Sequence, residues 1–334
     1  MGQVTSLFVR KVLAAADAAV DKDALLRSVG LDPAGPADPA LMIPAADYYA
    51  LLEKLLARDP EPATLPLRAG AGMRCDDYGA FGLAWKSAPD LRSSYARAER
   101  YARVLSSVAT YEVEPVAGGA FLHLRREGPR QPGMRFSNEA TIAGIDAISR
   151  QVTTADFRPL AVHFRHPAPG TASRHEAHFG CPVRFGSDRD ALLVSTETLQ
   201  APNRLGDASI SRFFQTHLDR EVAQLEGAAR LDRQVLDLVT RELSGGVPPI
   251  ADVAQQLCLS ARTLQRRLAD GGHSFRSLVD EARRRLATRL LGATAYSLSE
   301  VAFMTGFADQ SAFTRAFKRW EGQTPRSYRV GTRA

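Results

Sequence analysis

A chain of 334 residues that is 45% hydrophobic, 24% charged and 7% aromatic has an ordinary globular composition and a length suited to about two domains. No apolar run approaches the ~20 residues of a membrane span, and the opening "MGQVTSLFVRKVLAAADAAVDKD" is broken by Arg10, Lys11 and Asp17, which excludes a secretory signal. The net charge of +6 is unevenly placed: from Gly227 onward 17 Lys and Arg face 10 Asp and Glu, against 26 and 27 before it, so a basic last third follows a neutral remainder and points to a polyanionic partner.

The first third has the period of helices. Leu7, Val12, Leu13 and Ala16 share one side of the first; Tyr48, Tyr49, Leu51, Leu52, Leu55 and Leu56 predict a second; Leu91, Tyr95, Ala98, Tyr101, Ala102 and Leu105 predict a third. "LDPAGPADPALMIP" separates the first two. The period then shortens. "VATYEVEPV" and "AFLHLRRE" flank Ala117-Gly118-Gly119 as a hairpin, and a helix is expected over about Ser137–Thr153 with Ile142, Ile145 and Ile148 inward. "PLAVHFRHP" is a further strand, and "VRFGSDRDALLVS" suggests two short strands around a Gly-Ser-Asp turn. The fold class expected is α+β, helices plus a small, largely antiparallel sheet. A helix from about Ala208 to Leu225 comes next, with a linker somewhere in 201–230 and a domain boundary near 226. Beyond Leu231 no strand pattern remains, so residues 227–334 are expected to be all-α.

That last part repeats itself. "IADVAQQLCLSARTLQRRL" lies on "LSEVAFMTGFADQSAFTRAF" with one inserted residue, so that Val253 falls on Val301, Leu264 on Phe313, Arg266 on Arg315 and Leu268 on Phe317. The tails "SFRSL" and "TPRSY" correspond as well. Each copy has helix-turn-helix spacing, over about 250–269 and 298–319. Asp252 is expected to open the first helix of the first copy and Ser260 to cap its second; Ser299 and Asp309 are expected to cap the two helices of the second copy, with Gly306 at the turn.

Within each second helix the faces separate. Leu264, Leu268, Phe313 and Phe317 at i, i+4 point to a core, while Arg262, Gln265, Arg266, Gln310, Ser311, Thr314 and Arg315 point out. These are the side-chain types that read base edges in a major groove. Arg276, Lys318, Arg319 and Arg326 are candidates for phosphate contacts, which add affinity without sequence preference. Between the copies, "SFRSLVDEARRRLATRLLGAT" predicts one connecting helix with Arg283, Arg284 and Arg289 on its outer side. A rigid spacer of about 34 Å would let a single chain read two successive major grooves of double-stranded promoter DNA.

Residues 231–329 resemble the DNA-binding domain of AraC/XylS-type transcription regulators through Ser299, Glu300, Val301, Ala302, Gly306, Phe307, Ser311, Phe313, Arg315, Phe317, Lys318, Gly322, Thr324, Pro325, Tyr328 and Arg329. Cys258 departs from the pattern, standing where glycine or a small residue is usual. Residues 21–203 are similar to the arabinose-binding-like, non-cupin effector domain of that family, in "YGAFGLAWKSAPDLRSSYARAERYARVLS", "HFRHPAPGTASRHEAHFGCPVRFGSDRDALLVS" and "LQAPN". The resemblance implies a small-molecule effector, homodimerisation through residues 1–226, RNA polymerase as a partner and activation as the favoured sign.

Other readings compete. Phe81, Trp85, Tyr95, Tyr101 and Tyr111 are candidates to line an effector pocket, Phe81, Trp85 and Tyr101 foremost, although aromatics at helical spacing are commonly plain core. His163, His166, His175, His178 and Cys181 contain two H-x-x-H spacings that a metal- or redox-responsive regulator could use. Against this, His163 lies in a strand pattern whose alternate residues diverge. An enzyme-like N-terminal domain finds no support: the chain has no P-loop, no G-x-G-x-x-G between strand and helix and no G-x-S-x-G. No cofactor or membrane partner is expected. A duplex footprint lost in Arg266→Ala and Arg315→Ala but kept in Arg126→Ala would separate a DNA reader from an RNA or membrane-surface binder.

Overall fold

The structure, a computed structural model, describes residues 2–333 except 127, 129 and 171. They fall into two compact units, 1–222 and 223–334. Among the described residues no helix is long and apolar enough to cross a membrane.

In the N-terminal unit the helical first third is as the periodicity requires. Helices α1 (Ser6–Ala15), α2 (Lys22–Ser28), α3 (Ala45–Leu56), α4 (Leu65–Ala71), α5 (Gly79–Lys86) and α6 (Leu91–Tyr101) precede the sheet. Leu7, Val9, Val12 and Leu13 of α1 and Tyr48, Leu51, Leu52 and Leu55 of α3 are buried. The Pro/Asp-rich separator does more than separate. It ends in β2 (Met42–Pro44), which pairs antiparallel with β1 (Gln3–Thr5). The preceding loop is tied down where the buried Thr5 and Ser6 hydroxyls donate to the carbonyls of Pro39 (2.7 Å) and Asp38 (3.0 Å).

The hairpin is β3 (Ala109–Val116) and β4 (Gly119–Arg126), and the helix after it, α7, runs Pro132–Val152. It starts five residues earlier than expected because Pro132 suits the first turn, where its missing N–H is no loss. β5 (Ala161–His163), α8 (Ser173–Phe179), β6 (Val183–Arg184), β7 (Ala191–Ser195) and α9 (Thr196–Gln200) complete the unit. The sheet order is β3-β4-β7-β5-β6, antiparallel except for the β5–β6 pair. The two strands of "VRFGSDRDALLVS" therefore do not pair with each other; β5 lies between them. Helix α7 packs directly on α4 because Gly70 has no side chain: a Cβ there would stand 2.4 Å from that of Ala143 and 2.7 Å from the Ala140 carbonyl oxygen.

The expected linker is helical from Ala208 onward. Helix α10 (Ala208–Glu242) continues through Gly227. One glycine costs a helix interior about 1 kcal/mol, less than either end gains by burial: Leu218 is buried in the N-terminal core, Val235 and Val239 in the C-terminal one. The C-terminal unit continues with α11 (Ile250–Gln256), α12 (Ala261–Asp270), α13 (Phe275–Ala293), α14 (Leu298–Met304), α15 (Gln310–Glu321) and α16 (Pro325–Arg333). Its described residues contain no strand.

Candidate nucleic-acid interface

The sequence repeat is a repeat of hydrogen bonds. After α11 the N–H of Cys258 donates to Gln255 (3.0 Å) and that of Leu259 to Ala254 (2.9 Å); after α14 Gly306 donates to Phe303 (2.9 Å) and Phe307 to Ala302 (3.0 Å). Both turns are left-handed, with φ of 55° at Cys258 and 73° at Gly306. Glycine is demanded at the second, where a Cβ would also stand 2.8 Å from the Leu243 carbonyl oxygen.

The caps on the second helices are those expected: the Ser260 hydroxyl accepts from Thr263 N–H and the Asp309 carboxylate from Ala312 N–H. Those on the first helices differ. Pro249 occupies the N-cap of α11, placing Asp252 inside the first turn, where a carboxylate suits the helix dipole. Ser297, not Ser299, caps α14, in a capping box with Glu300, because the S-x-x-E spacing satisfies two orphan amides reciprocally. Ser299 instead donates to the Gln310 side chain at 2.8 Å, linking α14 to the start of α15.

The two faces of α12 and α15 part as their period requires. Leu264, Leu268, Phe313 and Phe317 are fully buried. Arg262, Gln265, Arg266, Gln310, Ser311 and Arg315 are exposed. Thr314 is half-buried, and its hydroxyl donates back to the Gln310 carbonyl at 2.8 Å. Beneath α15, Phe307 lies 5.8 Å from Phe313 and 6.0 Å from Trp320, and Phe317 lies 5.4 Å from Tyr328.

Arg276, Lys318, Arg319 and Arg326 are all exposed, with Arg319 3.9 Å from the Asp280 carboxylate. An open groove of about 460 Å³ between α13 and α15 gathers Arg276, Arg283, Arg315 and Arg319, with Asp280 the one acidic side chain among the described residues that line it. Two arginines expected on the outer side of α13 have internal duties. Arg283 donates to the carbonyls of Thr305 (3.1 Å) and Gly306 (2.5 Å), and its guanidinium covers the Phe307 ring at 4.3 Å. Arg284 pairs with Glu281 (2.9 Å) and Glu321 (3.2 Å). Sequence reasoning missed the role of Arg283; its spacing to the turn glycine lies across a helix boundary and has no local pattern.

The N-terminal unit encloses a cavity of about 50 Å³ between α5, α7 and the β3–β4 hairpin. Phe81, Trp85 and Tyr111 line it, but Tyr95 and Tyr101 do not: the Tyr95 hydroxyl lies 3.0 Å from that of Ser149, and the Tyr101 hydroxyl donates to Asp219 at 2.7 Å. Among the lining residues are Tyr48, Tyr78 and Tyr111 and one charged side chain, Arg126. Burial pushes the Tyr48 hydroxyl up to about 12 and Tyr111 above its ordinary value, with Arg126 opposing in both cases.

The histidines do not converge on one point. His175 hydrogen-bonds Glu139 at 2.8 Å and His166 lies 3.2 Å from the other oxygen of that buried carboxylate, whereas His163 turns to Ser187 and His178 packs on the Phe179 ring. Cys181 is half-buried, and burial raises its thiol to about 11. Among the described residues no group of three or more His, Cys, Asp or Glu is arranged to hold a metal ion.

Comparison with known proteins adds two matches to this geometry. The family described as the N-terminal arabinose-binding domain of AraC transcription regulators matches residues 20–203, and a helix-turn-helix domain family matches residues 253–330. The Ornithine utilization regulator of Pseudomonas aeruginosa is 28% identical, over 94% of this chain and 92% of its own length. The HTH-type transcriptional regulator VqsM of the same organism is 32% identical over 79% and 82%. The crystal structure of the P. aeruginosa transcriptional regulator CdpR aligns over 97% of this chain and 98% of its own at a TM-score of 0.45 and 22% identity.

Proposed function

Because the chain belongs to the AraC family of transcription regulators and is a DNA-binding regulator, we propose that α12 and α15 enter neighbouring major grooves of promoter DNA under the control of a small molecule held in the N-terminal unit. The observation that carries this reading is the matched pair of turns. Arg266 and Arg315 occupy equivalent, exposed positions on two helices whose opposite faces are fully buried. Arginine at such a position suits two bonds to guanine, and the neighbouring Arg262, Gln265, Gln310 and Ser311 offer further donors. Thr314 has its hydroxyl engaged within α15, so its methyl group is the part free for a thymine contact. Arg276, Lys318, Arg319 and Arg326 supply the phosphate contacts.

The effector shifts a population between arrangements in which both helix-turn-helix units can and cannot engage, and homodimerisation multiplies the number of linked readers. Activation through RNA polymerase is supported by the family alone. Fluorescence anisotropy with the natural promoter fragment and a scrambled duplex tests the interface. Arg266→Ala and Arg315→Ala should each cost ~1–3 kcal/mol on the specific fragment and little on the scrambled one. Equal losses on both duplexes would reduce these residues to charge carriers.

A further inference from the structure

Arg126 sits at the end of β4 and is, among the described residues, the one charged side chain lining a cavity otherwise made of aromatic, aliphatic and hydroxyl side chains. One terminal nitrogen donates to the Tyr49 hydroxyl at 3.0 Å and the other to Thr141 at 3.1 Å. Both partners are neutral, and among the described residues no carboxylate pairs with it. Its Nε is buried with no partner, as is the indole N–H of Trp85, another lining residue. A guanidinium has five N–H donors and accepts nothing. A half-buried cation with no counter-charge among the described residues, held in place by two hydroxyls, is expensive unless something anionic joins it.

We infer that this cavity is a site for a small monocarboxylate, whose anionic end pairs with Arg126 and whose apolar body lies among Phe81, Trp85, Ile145 and Ile148. The inference rests on reading the N-terminal unit as the effector-binding part, and it names the chemical class of that effector. Three features narrow the class. The unpartnered nitrogens are donors only, so the ligand head must accept. Among the described residues no Asp or Glu lines the cavity, so against them a zwitterionic amino acid would bury its ammonium unpaired. A volume of about 50 Å³ holds only a few water-sized groups, each needing roughly 10–15 Å³, which favours a short or branched aliphatic acid over a long chain.

The test is calorimetric titration of the full-length protein with acetate, propanoate and 2-methylpropanoate, each beside its primary amide. At least one acid should bind, its amide should bind about tenfold more weakly or worse, and Arg126→Gln should lose the preference for the acid. Arg126→Met, which keeps the apolar stem, serves as a second variant should Arg126→Gln fold poorly, and the acid–amide comparison in the unaltered protein needs no variant. Acid and amide binding alike, an acid bound undiminished by both variants, or no acid bound at all would each overturn the inference. Anisotropy with promoter DNA in the same samples separates the two layers. Acids that bind without changing DNA affinity leave the carboxylate site standing and remove its effector role; an effect on DNA affinity from the neutral amides alone does the reverse.

Discussion

Cys258 holds φ of 55°, the left-handed conformation that Gly306 holds in the second copy. A side chain there costs about 1–2 kcal/mol, partly returned because glycine is freer in the unfolded chain. Cys258→Gly should therefore stabilise the C-terminal unit by ~0.5–1 kcal/mol in urea unfolding, and Cys258→Val, stiff at its β-carbon, should destabilise it by about 1–2 kcal/mol. A loss on going to glycine would show that the thiol makes a compensating contact. The family resemblance marks Cys258 as a departure; the backbone angle supplies the physical reason. Around Glu139 the titrations oppose one another. Burial disfavours the charged form of His166, but Glu139 outweighs it and holds the imidazole above its ordinary value; burial, with nearby arginines, holds His163 and His178 below theirs. A raised histidine contributes stability that is full below about 6.5 and is lost as pH rises through its folded value; a lowered one contributes stability present above about 6.5 and lost on acidification. Hence His166→Gln should destabilise more at pH 6 than at pH 8, and His178→Gln should compare better with the unaltered protein at pH 5.5 than at pH 8. Urea midpoints across that range check both signs.

Among the elements, those with strong period were legible and those defined by long-range pairing were not. Both helix-turn-helix units, their buried Leu and Phe pairs and the caps at Ser260 and Asp309 follow from spacing, because each is satisfied within a few residues. The β1–β2 pair joins residues about forty apart, and the Pro-rich loop gives no periodic sign of it. The order β7-β5-β6 likewise depends on a crossover that local pattern does not record. The cavity was half legible: Phe81 and Trp85 line it, Tyr101 is committed to Asp219, and Arg126 had no motif to announce it. The turn of the second copy depends on another element, since Arg283 of α13 holds the carbonyls of Thr305 and Gly306. Arg283→Met should cost ~2–3 kcal/mol of stability by leaving two carbonyls unpaired and removing the contact with Phe307. Arg283→Lys should recover little, because an ammonium cannot reproduce the planar fork. Thermal denaturation of both variants decides this, and an unchanged midpoint in Arg283→Met would show that the bracket is dispensable.

For the whole molecule, charge separates the two units as fold does, since the residues from Gly227 onward carry 17 Lys and Arg against 10 Asp and Glu. Folding reduces what that excess can offer to DNA, because Arg283 and Arg284 are spent on internal partners. With Arg276, Lys318, Arg319 and Arg326 as the phosphate contacts of one chain, log K against log salt should fall with a slope of about −3.6, and Arg326→Ala should flatten it by about 0.9. A slope untouched by Arg326→Ala would remove that residue from the interface. The bracket from α13 also limits how such a reader can be re-engineered. Transplanting residues 298–321 into another regulator, to give it this operator preference, would export a turn whose clasp lies outside the graft. Unless the recipient helix carries a guanidinium at position 283, the borrowed reader would arrive with the right letters and a loose hinge.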